Sequence, residues 1–168
     1  GIYAVAAKFP ALITIIEGFF FQAWQVSALE TKDSTERDEF YSKIFNLLWL
    51  FAALLTCGLL IVIKLVVKIM VPEEYFFAWK FAPFLFVSAA ISAIQSFLGV
   101  NYTVYKDSIG ALRSTCIAAG LNLILNYFLI KILGIQGATI ATLMSFIAVA
   151  VYRYLDTRKY VRIQIDNQ

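Results

Sequence analysis

Long apolar stretches separated by short polar connections dominate this 168-residue chain. Five of them approach or exceed the roughly 20 residues that an α-helix, rising about 1.5 Å per residue, needs to cross about 30 Å of hydrocarbon. They run from about Tyr3 to Ala28, Ile44 to Val71, Phe81 to Val104, Ser114 to Leu133 and Ile135 to Leu155. Inside a bilayer no water satisfies the backbone N–H and C=O groups, so only helices and closed barrels span it. Barrel strands need only about 9 to 11 residues, and these runs are far longer. The pattern therefore predicts an all-α, polytopic transmembrane helical bundle with five spans and no soluble domain.

The connections differ chemically. Leu29 to Glu39 carries seven charged residues in eleven, which predicts a solvated loop. Val71 to Trp79 combines the helix-stopping Pro72 with Tyr75, Phe76, Phe77 and Trp79, as expected of an aromatic belt at headgroup level. Tyr105 to Gly110 reads as a tight polar turn, and Gly134 to Gly137 leaves so little loop that the last two segments should form a helical hairpin. The pattern is already under way at Ile2, no signal peptide is legible, and the polar stretch after Leu155 stops without a defined end, so the chain reads as a piece of something longer.

Composition sharpens this picture. Hydrophobic residues make up 61% and charged residues 15%, with a mean hydropathy of +0.79, against about 45–50% and about 25% in an ordinary soluble domain. Fourteen basic and eleven acidic residues cannot skin a soluble globule of this apolarity, and the aromatic content of 16% argues against disorder. The basic residues sit at the ends of apolar runs, not in a stripe, which speaks against a nucleic-acid partner. Histidine is absent, which removes a His base and His-ligated zinc. Cys57 and Cys116 lie inside apolar runs and read as buried packing residues, not a disulfide or metal pair. No GxxxxGK[ST], GxGxxG or GxSxG occurs. The chain therefore reads as no enzyme, with no cofactor or metal, and any transport must draw on an ion gradient, the membrane potential or the substrate's own gradient.

Lysine and arginine also set an expected orientation. Nine fall on the face formed by loop 29–43, turn 105–113 and the C-terminal tail, and five on the other. By the positive-inside rule those three connections are cytoplasmic in a multi-pass cell-membrane protein. Lys64 and Lys68, one turn apart near the outer end of the second segment, are placed to snorkel.

Some residues are expensive where they sit. Glu17 lies near the middle of the first segment, where a carboxylate costs about 2.5 kcal/mol or more unless it meets water, a cation or a proton. Gln25 is within about 80° of it around the helix and so can border the same cavity, whereas Gln22, about 140° away, is expected to meet a neighbouring helix. Gln95 lies near mid-span beside the small-residue strip Ser88, Ser92, Ser96, Ala89 and Ala93, which reads as tight packing. Asn122 and Asn126 share one face and either bridge helices or line a polar interior. Arg113 suits an anionic headgroup or diphosphate, although topology alone also asks for a basic residue there. Gly137, Ala141 and Ser145 form a second close-packing strip, expected to hold the last two helices together.

Two stretches carry a resemblance to a known family. GIYAVAAKFPALITIIEGFFFQAWQVSALE, followed by a charged loop and FYSKIF, resembles the second half of the Wzx-type O-antigen and capsule flippases, the polysaccharide-transport family of the superfamily that also holds the MATE exporters. AAGLNLILNYFLIKILGIQGATIATLMSF resembles the same family's helix with spaced asparagines, near-absent loop and small-residue helix start. The resemblance implies five of 12–14 helices, in the C-terminal bundle of a protein that moves undecaprenyl-diphosphate-linked oligosaccharide repeat units to the outer leaflet by alternating access. It implies as partners the lipid-linked oligosaccharide, the bilayer, H+ or Na+ as coupling ion, and polysaccharide polymerase machinery. The family's cavities are often cationic, whereas here the mid-span charge is Glu17. That leaves Glu17 as a coupling site, a sugar contact or the partner of a cation elsewhere, with Gln25, Gln95, Asn122 and Asn126 as candidate sugar contacts. The rivals are a MATE-type drug or cation antiporter and, less well matched to such short loops, a membrane enzyme of polysaccharide assembly.

Overall fold

A computed structural model describes residues 18–70 and 79–163. Five helices follow one another: α1 (18–30), α2 (Arg37–Met70), α3 (Ala82–Val104), α4 (Ser108–Leu133) and α5 (Ile135–Thr157). The described residues contain no strand, and α2 to α5 are each long and apolar enough to cross a membrane. The chain is thus an all-α, membrane-type helical bundle. Of the first expected segment, residues 1–17, Glu17 among them, lie outside the described residues, as does most of the expected aromatic belt.

Helix boundaries follow local chemistry more than hydropathy. The charged run expected as a loop is irregular only over residues 31–36; from Arg37 it is already helix. Asp38 and Glu39 fall in the first turn of α2, where the helix dipole favours negative charge, and Glu39 pairs with Lys43 one turn on at 2.7 Å. Likewise α4 begins six residues before the apolar run does. Asp107 caps it by accepting a hydrogen bond from the Gly110 N–H at 2.8 Å. The turn between α3 and α4 is then only Tyr105, Lys106 and Asp107, with Lys106 in the left-handed region at φ 55°.

α3 is the central helix, packed against α2, α4 and α5. Around Phe97 it carries the main core: Trp24 of α1 stacks on that ring at 4.4 Å, Tyr41 of α2 meets Trp24 edge-on at 4.7 Å, and Phe45 lies 5.6 Å from Phe97. Such aromatic contacts add to simple area burial and lock three helices together. A second cluster, Ile63, Val67, Ala82, Phe86 and Ala89, joins the other end of α2 to the start of α3. Lys64 reaches over the Trp79 ring at 4.3 Å.

The hairpin of α4 and α5 forms as its sequence predicts. Gly134 turns the chain at φ 60° and ψ −136°, a conformation open to glycine and strained for other residues. Gly137, Ala141 and Ser145 are all buried, and a Cβ on Gly137 would overlap the Leu129 carbonyl of α4. The two backbones therefore touch, as small-residue strips permit.

The polar connections expected on one face do meet at one end. Arg37 donates to the Tyr105 hydroxyl at 2.8 Å, Tyr105 stacks on Tyr160 at 4.5 Å, and Lys159 bridges Asp107 and Asp156 at 3.2 Å each. The α1–α2 loop, the α3–α4 turn and the segment after α5 are thereby tied together.

Candidate functional site

A recess of about 400 Å³, lined by both polar and apolar residues, opens between α1, α3, α4 and α5. Gln22 and Gln25 border it from α1, Ser96, Gly99 and Thr103 from α3, and Arg153 from α5. Gln22 departs from its expectation. It stands three residues from Gln25, about 60° around the helix, so both amides face the same space.

Among the described residues, Arg153 is the one charged side chain on the wall of this recess. Its Nε donates to Ser114 Oγ at 3.1 Å and its Nη1 to the Gln95 carbonyl oxygen at 2.9 Å. Among the described residues these contacts engage two of the five guanidinium N–H donors. Among the described residues no carboxylate lies within ion-pair distance of it. Gly99 makes its position possible, since a Cβ there would stand 2.6 Å from Nη1. The guanidinium is therefore oriented by α3 and α4, half-buried, and held about 6 Å inside the polar end of α5, four residues short of Thr157. An arginine fixed in this way, with no carboxylate partner among the described residues, suits an anion with several oxygens, phosphate above all.

The expected site residues separate in the structure. Gln25 reaches the recess; Gln95 contributes its backbone carbonyl to Arg153. Asn122 and Asn126 lie on α4 away from it and bond each other, Asn126 Nδ2 donating to Asn122 Oδ1 at 2.9 Å and to the Asn122 carbonyl at 2.8 Å. Arg113 is exposed on α4 and does not line the recess. Glu17 lies outside the described residues. Among the described residues no group of His, Cys, Asp or Glu is arranged to hold a metal ion.

Arg153 was legible in the sequence only as one of the basic residues that set topology. Its signal is the strip Gly137, Ala141, Ser145, which continues at the same spacing through Val149 and Arg153 to Thr157. Each step of four advances about 40° around the helix. The ridge therefore meets α4 at Gly137 and has turned toward α3 by Arg153. Arg153 points inward because α3 lies on the side to which the ridge has turned.

Both cysteines differ from expectation as well. Cys57 and Cys116 are exposed and free, because an apolar run faces lipid as readily as it faces a neighbouring helix. No protein-family model, curated protein or solved structure matches this chain.

Proposed function

We propose that this chain is part of a lipid-linked oligosaccharide flippase of the Wzx type, which carries undecaprenyl-diphosphate-linked repeat units across the cytoplasmic membrane by alternating access. Arg153 carries the reading: a fixed cation, free of any carboxylate among the described residues, beside two glutamine amides in one recess. The guanidinium fork matches phosphate oxygens, and the Gln22 and Gln25 amides can both donate to and accept from sugar hydroxyls. The sequence resemblance and the excess of basic residues at the end that carries Arg153 support the same reading. The basic excess favours a cytoplasmic position for that end, where such a substrate is loaded. The family's cationic cavity then has its counterpart in Arg153, and Glu17, next in sequence to the recess-lining Gly18, is left for H+ or Na+ coupling.

The test is polymer export, together with accumulation of the lipid-linked intermediate, in cells that depend on this protein. At normal protein level Arg153→Gln should cut export more than tenfold, while Arg153→Lys keeps the charge, loses the fork and should fall between. Gly99→Leu should resemble Arg153→Gln by displacing the guanidinium, and Gly99→Ala should be milder because the end of the arginine side chain can move. Dye extrusion should not depend on the protein, as it would for a drug antiporter. Full export by Arg153→Gln would remove the diphosphate reading.

A further inference from the structure

A second recess, of about 230 Å³, lies between α2, α3 and α5. Its lining is entirely apolar or aromatic, from Phe45 and Trp49 on α2, Ile91 and Leu98 on α3, and Ile147 and Tyr154 on α5. Leu98 is buried, whereas Trp49 is 51% and Ile147 43% exposed, so this is a groove open along its length.

Its position along the helices is set by counting residues from the polar end. Tyr154 and Ile147 precede Thr157 by three and ten residues, which at about 1.5 Å per residue puts them about 5 and 15 Å below that end. Phe45 and Trp49 follow Arg37 by eight and twelve residues, about 12 and 18 Å down. The groove thus runs from just under the headgroup level into the hydrocarbon.

A cation stands at its mouth. The Arg158 guanidinium lies 4.6 Å over the Tyr154 ring, and Nη2 donates to the Tyr154 hydroxyl at 3.2 Å. The adjacent Lys159, by contrast, is paired with Asp107 and Asp156. Arg158 is exposed, and among the described residues no carboxylate lies within ion-pair distance of it.

We infer that this groove holds one acyl chain of an anionic membrane phospholipid, with the lipid phosphate over Arg158. The apolar walls alone accept any chain. Selection of a net-negative headgroup comes from Arg158, and one basic residue at a membrane surface gives about a fivefold preference. The inference is independent of what the chain transports.

Trp49 in the groove wall is the reporter. The full chain is reconstituted in phosphatidylcholine vesicles carrying increasing fractions of brominated-chain phosphatidylglycerol or brominated-chain phosphatidylcholine. The quenching lost in Trp49→Phe isolates the contribution of the groove. That contribution should half-saturate at about fivefold lower fraction of the anionic lipid. Arg158→Gln should abolish the difference, and Ala150→Phe, which fills the groove, should lower quenching by both lipids while circular dichroism stays unchanged. Equal half-saturation in the unaltered chain, or a preference that survives Arg158→Gln, would overturn the inference. Absence of any Trp49 component would mean that protein covers the groove. Displacement by unbrominated undecaprenyl phosphate at more than tenfold lower fraction than by phosphatidylglycerol would assign it to a polyprenyl chain, and either result also overturns the inference.

Discussion

The Tyr160 hydroxyl donates a 2.5 Å hydrogen bond to Asp107 Oδ2, which joins the segment after α5 to the N-cap of α4. That carboxylate also accepts from the Gly110 N–H and from Lys159. Its pKa falls from the ordinary 3.8 to about 2, first through Tyr160, then through Gly110 and Lys159.

A group whose folded-state pKa is depressed contributes stability that is complete above its unfolded pKa and disappears as pH falls through the folded value. The tie between the tail and the α3–α4 turn should therefore be intact above about pH 5 and lost between about pH 4 and pH 2. Hydrogen exchange of residues 158–163 in reconstituted protein, corrected for intrinsic rates, reads this directly. Tyr160→Phe should move the loss of protection to higher pH, since it removes the largest cause of the shift. Identical acid profiles for the two proteins would remove Tyr160 from the latch.

Glycines of similar sequence context should behave oppositely. A Cβ on Gly137 meets the Leu129 backbone of the neighbouring helix, which cannot rotate away, whereas one on Gly120 meets nothing within 4 Å. Gly137→Ala should cost about 1–3 kcal/mol as an overpacked contact. Gly120→Ala should be neutral or stabilise by up to about 1 kcal/mol through helix propensity. Unfolding of the full chain in mixed micelles measures both.

The Asn122–Asn126 pair predicts a non-additive cycle. Asn126→Leu strips Asn122 Oδ1 of its side-chain donor in an apolar setting and should cost about 1 kcal/mol or more. Asn122→Leu together with Asn126→Leu removes both amides and should return part of that loss. Equal or additive losses would mean that the two amides contribute through other partners. If the amides also touch the transported sugar, the double variant regains part of its stability and still loses export.

Segment identity was readable from the chain because a bilayer accepts so few backbone solutions. Runs of about 20 apolar residues must become helices, and the positive φ of Gly134 and the missing side chain of Gly137 let the chain reverse within a few residues. The ends of α2 and α4 were less legible. Hydropathy marks where hydrocarbon begins, whereas Asp38, Glu39 and Asp107 mark where the helix begins, and these points differ by several residues.

Apart from small-residue strips such as Gly137, Ala141 and Ser145, which side of each helix faces protein was decided by tertiary structure. In water, burial separates apolar from polar faces; in lipid both environments are apolar, so the sequence carries little signal for facing. No residue of the most apolar stretch of α4 is buried, and half of the corresponding stretch of α3 is, although the two read alike in hydropathy. Cys57 and Cys116 came out exposed, Gln22 joined Gln25, and Arg153 turned inward beneath Gly99. The amino-acid order by itself fixed that the chain forms membrane-length helices and where they turn, because unsatisfied backbone groups are prohibitive in oil. The placement of a single cation against two amides depended on how those helices pack, because contact between backbones is settled by shape and not by solvent.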